Sequence, residues 1–262
     1  MTAPLLQFSH ANGFPAECYR VFLGALSDRF DVRSVPCIGH DPRYPVTDGW
    51  PHLVDELIAA IEANGQQPVI GVGHSLGGML SFLAAVKRPA LFRAVILLDA
   101  PLLSVFRGNA VALLKRVGLI GRVAPGANTR NRRLEWPSHA ATVEHFRRKA
   151  LFRDFDPRCL DDYVRFGTVP VADGLRLVFD PVIEDRIYRT LPHHLGRIAS
   201  QLTVPGGLLV ANDSDVARRV GLVGSRRHLR IVRVGGGHLF PFERPEQAAA
   251  QVLAMAVQLG VL

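Results

Sequence analysis

A chain of 262 residues, 48% of them apolar, is long enough to bury one α/β core carrying an insertion, and it contains no internal repeat or low-complexity tract. The formal charge of +8 is almost all arginine, with Lys87, Lys115 and Lys149 the only lysines. The short basic clusters at Arg130 to Arg133, Arg147-Arg148-Lys149, Arg218-Arg219 and Arg226-Arg227 lack interleaved aromatics, so they read as solvated faces and exclude a nucleic-acid surface. Cys18, Cys37 and Cys159 fit neither a disulfide framework nor ligand spacing, no apolar run reaches membrane-spanning length, and the first residues lack a leader pattern. The expectation is a cytoplasmic protein with no metal, no cofactor, no membrane and no nucleic-acid partner.

In chain order, Leu5 to Ser9 reads as a strand and His10 to Pro15 as a loop with turn chemistry. Cys18 to Leu26 sets Tyr19, Phe22, Leu23 and Leu26 on one helical face, Asp31 to Pro36 is a second strand, and Ile38 to Asp48 is a loop broken by proline and glycine. Helical period returns over Trp50 to Glu62 through Leu53, Leu57, Ile58 and Ile61. The apolar run Pro68 to Val72 then leads into Gly73-His74-Ser75-Leu76-Gly77-Gly78, from which a helix-like segment, Met79 to Val86, departs. Strand, sharp turn and helix in that order make a G-x-S-x-G nucleophile elbow. The glycines two before and two after Ser75 remove Cβ atoms that would clash in the turn, and the serine hydroxyl stands at a helix N-terminus where negative charge is favoured.

Ala94 to Asp99 is a buried strand ending in an acid. From Pro101 the strand–helix rhythm stops until about Val204. Val111 to Leu119, His139 to Phe152 and Pro157 to Phe166 look helical there, and Val169 to Phe179 forms a hairpin turning at Asp173-Gly174. Pro205 to Ala211 and His228 to Val234 are further strands, and Glu246 to Leu259 closes the chain as a helix. Strands alternating with helices predict an α/β fold around a mostly parallel sheet. Residues 1–101 and 202–262 form its core, with 102–201 inserted as a mainly helical cap.

A serine hydroxyl needs a base within hydrogen-bond reach, itself oriented by a third group. His238 follows the last strand behind Gly235-Gly236-Gly237, and Asp215 follows the strand before it. The order Ser75, Asp215, His238, each at the carboxyl end of a strand, is that of one serine-hydrolase arrangement and not of the others.

On Ser9 to Pro15, Gly73 to Gly78 and Gly235 to Glu246 the chain resembles the α/β-hydrolase superfamily, in its lid-bearing branch of small-molecule serine hydrolases. The likeness covers roughly Leu5 to Ala100 and Val204 to Leu262. It implies Ser75 as nucleophile, His238 as general base then acid, and Asp215 as orienting acid, with Asp213 and Asp99 as alternatives for that last role. It also implies an oxyanion hole from the backbone N–H groups of Phe14 and Leu76. The family's first two strands are missing, so the sheet should hold about six. The implied activity is hydrolysis of a small to medium ester, thioester or amide through an acyl-enzyme. The resemblance also admits acyl transfer, carbon–carbon bond hydrolysis, or a binding protein that kept the fold. Oligomeric state is left open.

Among the other candidates, His74 is expected to be buried packing or a hydrogen bond at the sheet edge, His10 and His40 to be satisfied by loop backbone, and His193-His194 to be a surface pair. Leu102, Leu103, Phe106, Leu113, Leu114 and Phe146 are candidates for an acyl pocket, most of them expected as cap core.

Overall fold

A computed structural model describes residues 3–65, 67–123, 129, 132–215 and 229–262 of the chain. Arg130, Arg218, Arg219, Arg226, Arg227 and His228 lie outside the described residues. In chain order the strands are β1 (Leu5–Ser9), β2 (Asp31–Ser34), β3 (Val69–His74), β4 (Phe92–Leu98), β5 (Glu135–Trp136), β6 (Thr168–Val171), β7 (Gly174–Leu177), β8 (Gly206–Ala211) and β9 (Arg230–Val234). The longer helices are α1 (Arg20–Ser27), α2 (Pro51–Ala63), α3 (Leu76–Lys87) and α4 (Val105–Arg116), the short α5 (Ile120–Val123), then α6 (His139–Arg147), α7 (Pro157–Gly167) and α8 (Pro181–Arg189). The short α9 (Leu195–Ile198) and α10 (Phe240–Glu243) and the long α11 (Pro245–Gln258) follow among the described residues.

Six strands form one sheet in the order β2-β1-β3-β4-β8-β9, every neighbouring pair parallel. Six strands is the number expected from the sequence. Side chains alternate faces along a strand, and both faces here are apolar. Ile70, Val72, Ile96 and Leu209 join Phe22 of α1 and Val252 of α11 on one side. Val69, Val95, Leu97 and Leu208 join Leu57 of α2 and Leu80 of α3 on the other. Buried from Leu76 to Ala85 around its whole circumference, α3 is the core helix of that second layer.

Register sets the site. His74 of β3 pairs with Leu98 of β4, and Leu98 pairs with Leu209 of β8. The next residues, Ser75 and Asp99, therefore leave the sheet side by side at its carboxyl edge, where ligands of open α/β sheets bind.

Between β4 and β8 the chain builds α4 to α9 and a second, antiparallel sheet of order β5-β7-β6. The hairpin is formed by β6 and β7, with Val171 opposite Gly174. Neither α8 nor α9 is among the helices read from the sequence. For α8 a start signal was present: Asp180 accepts from the Val182 N–H at 2.7 Å, and Pro181 occupies the first turn. Trp50 ties this segment to the core, its indole N–H donating to Thr190 Oγ1 at 3.0 Å and to the Ile187 carbonyl at 3.2 Å. Phe146 is buried here, whereas Phe106 and Leu113 are 83% and 61% exposed.

Candidate active site

The elbow is as tight as its glycines suggest. Ser75 has φ 52° and ψ −110°, a conformation that L side chains rarely adopt. A Cβ on Gly73 would lie 2.2 Å from the Gly77 carbonyl oxygen, and one on Gly77 would lie 2.0 Å from the Ser9 carbonyl oxygen. Only backbone fits where α3 crosses β1 and β3. The Ser75 N–H donates to the Leu98 carbonyl at 2.9 Å, which holds the strained residue to the neighbouring strand.

His238 arrives from β9 through the glycine run. Glu243 Oε2 accepts from the Gly237 N–H at 2.8 Å and fixes the bend. Burial and the nearby Asp154 and Asp213 raise the Glu243 carboxyl, against the lowering effect of that hydrogen bond. His238 Nε2 lies 3.1 Å from Ser75 Oγ, and His238 Nδ1 lies 2.7 Å from Asp99 Oδ2. A carboxylate only accepts, so Nδ1 carries the proton and Nε2 offers its lone pair to the serine hydroxyl.

Beside His238, then, stands Asp99, read from the sequence as an alternative, and not Asp215, the first choice. Past β8 the chain turns Ser214 inward, 4% exposed, and leaves Asp213 and Asp215 exposed. Asp213 contributes its backbone N–H to the Gly236 carbonyl at 3.0 Å. Asp99 is 1% exposed and fully engaged: Oδ1 accepts from the Ala211 N–H at 3.0 Å, and Oδ2 accepts from Ser214 Oγ at 2.5 Å and from His238. Its own backbone is also left-handed, with φ 43°, and its N–H donates to the Leu209 carbonyl at 2.8 Å.

The two backbone donors implied for an oxyanion differ in state. Leu76 is the first residue of α3, where N–H groups have no carbonyl inside the helix to bond. The Phe14 N–H instead donates to the Ala11 carbonyl at 3.1 Å, closing a turn in which Gly13 has φ 83°. Against that turn sits a group the sequence reading missed. A Cβ on Gly13 would be 3.0 Å from Glu184 Oε1, and Glu184 Oε2 is 2.7 Å from Arg132 Nη2. Burial raises the Glu184 carboxyl, and Arg132 pulls the other way. Phe14 itself packs on Tyr163, Phe152, Phe155 and Phe242, with ring centroids 5.1 to 6.4 Å away.

His10 is buried and satisfied by loop backbone, Nδ1–H donating to the Ala11 carbonyl at 2.8 Å and Nε2 accepting from the Ile38 N–H at 2.7 Å; burial lowers it to about 4. His40 Nε2 accepts from the Asp180 N–H at 3.0 Å, which joins a core loop to the start of α8. His193 and His194 line a surface hollow of about 380 Å³ with Asp48 and Lys87. Among the described residues no three His, Cys, Asp or Glu side chains gather as a metal site, and no helix is long and apolar enough to cross a membrane.

Compared with known proteins, the chain matches the model of the alpha/beta hydrolase family over residues 8–252. It belongs to that family. A type I acyl-CoA thioesterase, mpaH' of Penicillium brevicompactum, is 28% identical over 171 residues, 58% of this chain and 37% of that protein. A 2-(acetamidomethylene)succinate hydrolase of Mesorhizobium japonicum is 31% identical over 100 residues, 37% of this chain and 36% of that one. The matched regions thus span less than half the length of these curated relatives. The crystal structure of E-2-(acetamidomethylene)succinate hydrolase superposes with a TM-score of 0.75 at 21% identity, covering 98% of this chain and 92% of the other.

Proposed function

We propose that this protein is a serine hydrolase in which Ser75 is the nucleophile, His238 the general base and then acid, and Asp99 the group that orients and charges against the imidazole. The observation that carries the reading is the line Ser75 Oγ to His238 Nε2 at 3.1 Å and His238 Nδ1 to Asp99 Oδ2 at 2.7 Å. In the first half-reaction Ser75 Oγ bonds to the substrate's acyl carbon while its proton passes to His238 Nε2. The negative charge on the former carbonyl oxygen is met by the N–H of Leu76 and by that of Phe14, which leaves the neutral Ala11 carbonyl for the stronger charge-assisted acceptor. Collapse breaks the bond to the leaving group, which takes the proton from His238. Water then attacks the acyl-enzyme with His238 again as base, and Ser75 regains its proton.

The substrate class is a small to medium ester or thioester, with amide as the runner-up. A thioesterase and an acetamidomethylene hydrolase among the relatives support that range. Residues 102–201 act as the cap over the site. Three free thiols, Cys18, Cys37 and Cys159, favour a cytoplasmic setting.

Intact-mass labelling with a fluorophosphonate tests the reading. One adduct on the native protein and none on Ser75→Ala is expected, followed by turnover within a panel of p-nitrophenyl esters, acyl thioesters and amides. An unlabelled native protein, or equal labelling of the variant, would overturn it.

A further inference from the structure

Next to the nucleophile lies a second histidine that the reaction does not use, and its bonds run in one direction. Tyr19 is fully buried, its ring packed on Phe8, Phe22, His74 and Phe242. Tyr19 Oη accepts from the Ala11 N–H at 3.1 Å and lies 2.7 Å from His74 Nδ1. His74 Nε2 lies 2.8 Å from the His238 carbonyl oxygen. A carbonyl only accepts, so Nε2 carries the proton and Nδ1 takes the Tyr19 hydroxyl hydrogen. The path is Ala11 N–H to Tyr19 O–H to His74 N–H to His238 C=O, with no donor wasted. Burial lowers His74 to about 3 and raises Tyr19 far above the usual phenol range, so neither group changes charge at working pH.

The ends of this path matter more than its middle. Ala11 opens the turn that presents the Phe14 N–H, and its carbonyl is held from the other side by His10 Nδ1 and Phe14 N. His238 is the base itself. His74 immediately precedes Ser75 and is the last residue of β3. Two side chains therefore bridge the oxyanion turn, the elbow and the base loop, which come from residues 11, 74 and 238 of the chain. Resting on the hydrolase reading above, we propose that Tyr19 and His74 are positioning residues that lock the oxyanion turn and the histidine loop to one another, so that neither half of the site can shift without the other. Hydrogen bonds in such a buried chain polarise one another, and removal of one leaves two unpaired groups in a dry interior.

Tyr19→Phe removes one oxygen and keeps the packing. Misplacement of catalytic groups by about 1 Å costs up to a hundredfold, so kcat on p-nitrophenyl acetate is expected to fall about ten- to hundredfold with KM held within about twofold, and fluorophosphonate labelling to slow in parallel. His74→Gln retains an N–H where Nε2 was, and it is expected to keep about tenfold more kcat than His74→Leu. Amide hydrogen exchange reads the coupling without turnover: in Tyr19→Phe, exchange is expected to rise in both the 10–16 and the 234–243 segments. A folded Tyr19→Phe with native kcat, equal damage in His74→Gln and His74→Leu, or faster exchange in only one segment would each refute the coupling. Native protein that neither labels nor turns over fails the hydrolase reading itself, and the exchange experiment then judges the structural lock separately.

Discussion

In an Asp99→Asn protein the buried pocket keeps its shape, and a donor replaces one of its acceptors. The carbamoyl oxygen continues to accept from the Ala211 N–H, now at 3.0 Å from Oδ1, which directs the new NH2 into the place of Oδ2. That group faces Ser214 Oγ at 2.5 Å and His238 Nδ1 at 2.7 Å. Ser214 can rotate to accept, but the imidazole can accept at Nδ1 only as the Nε2–H tautomer, which has no lone pair for the Ser75 proton. A wrong tautomer in intact geometry costs about ten-thousandfold in kcat, about 5.5 kcal/mol of barrier at about 1.36 kcal/mol per tenfold. The assay is steady-state hydrolysis of a p-nitrophenyl ester, with fluorophosphonate labelling as an independent count of active serine. Asp215→Asn, on an exposed side chain, is the control and is expected to stay within about twofold of native. Asp99→Asn within about tenfold of native, with Asp215→Asn the more damaged, would refute the assignment of the acid.

Gly77→Ala would bring a Cβ to 2.0 Å from the Ser9 carbonyl, so a loss of about 3 kcal/mol or more in urea unfolding, together with lost labelling, is expected; native-like stability would contradict the packing of the elbow. Trp50→Phe deletes the indole bonds to Thr190 and Ile187 and should cost about 1–3 kcal/mol in the same assay. Stability should also fall with acidity. His10 and His74, held neutral at about 4 and about 3 against 6.5 when unfolded, contribute stability that is complete above about pH 6.5 and is lost as pH falls towards those lower values. Glu56, pushed up to about 7 mainly by burial, works the other way, its contribution fading as pH rises from about 4.5 through about 7. Glu56→Gln should therefore unmask a loss approaching about 3 kcal/mol between about pH 7.5 and about pH 5.5, and a flat profile in that variant would count against both histidines being buried neutral.

The elbow was legible because its chemistry is local: a glycine on each side of Ser75, an apolar run before it and helical spacing after it act within a dozen residues. His238 was legible for the same reason, through three glycines that announce a bend. The carboxylate that stands beside His238 was not. Asp99 and Asp215 each follow a strand, and the choice between them rests on β4 lying next to β3 and on the inward turn of Ser214, neither of which is written near either aspartate. Tyr19 reads along the chain as one apolar position of a helix, and its hydroxyl gains a role only once Ala11 and His74 converge on it. The start of α8 could have been found from Asp180-Pro181, but its buried Glu184 and Asp185 give it a polar look that hides a core-facing segment.

The separation in sequence of the site's partners has a consequence for how the molecule comes into being. The bond from the Ala211 N–H to Asp99 closes a loop of 112 residues, that from His238 to Asp99 one of 139, and that from His238 to Ser75 one of 163. Loops that long are closed late and slowly, because their entropy must be spent before any contact rewards it. Ser75 and His238 lie 163 residues apart, so under the proposed mechanism a chain whose β8 and β9 have not yet joined the sheet carries an ordinary, unreactive serine. Emergence of reactivity during refolding should then coincide with completion of the sheet at β8 and β9, making the active serine a reporter of the last step of assembly.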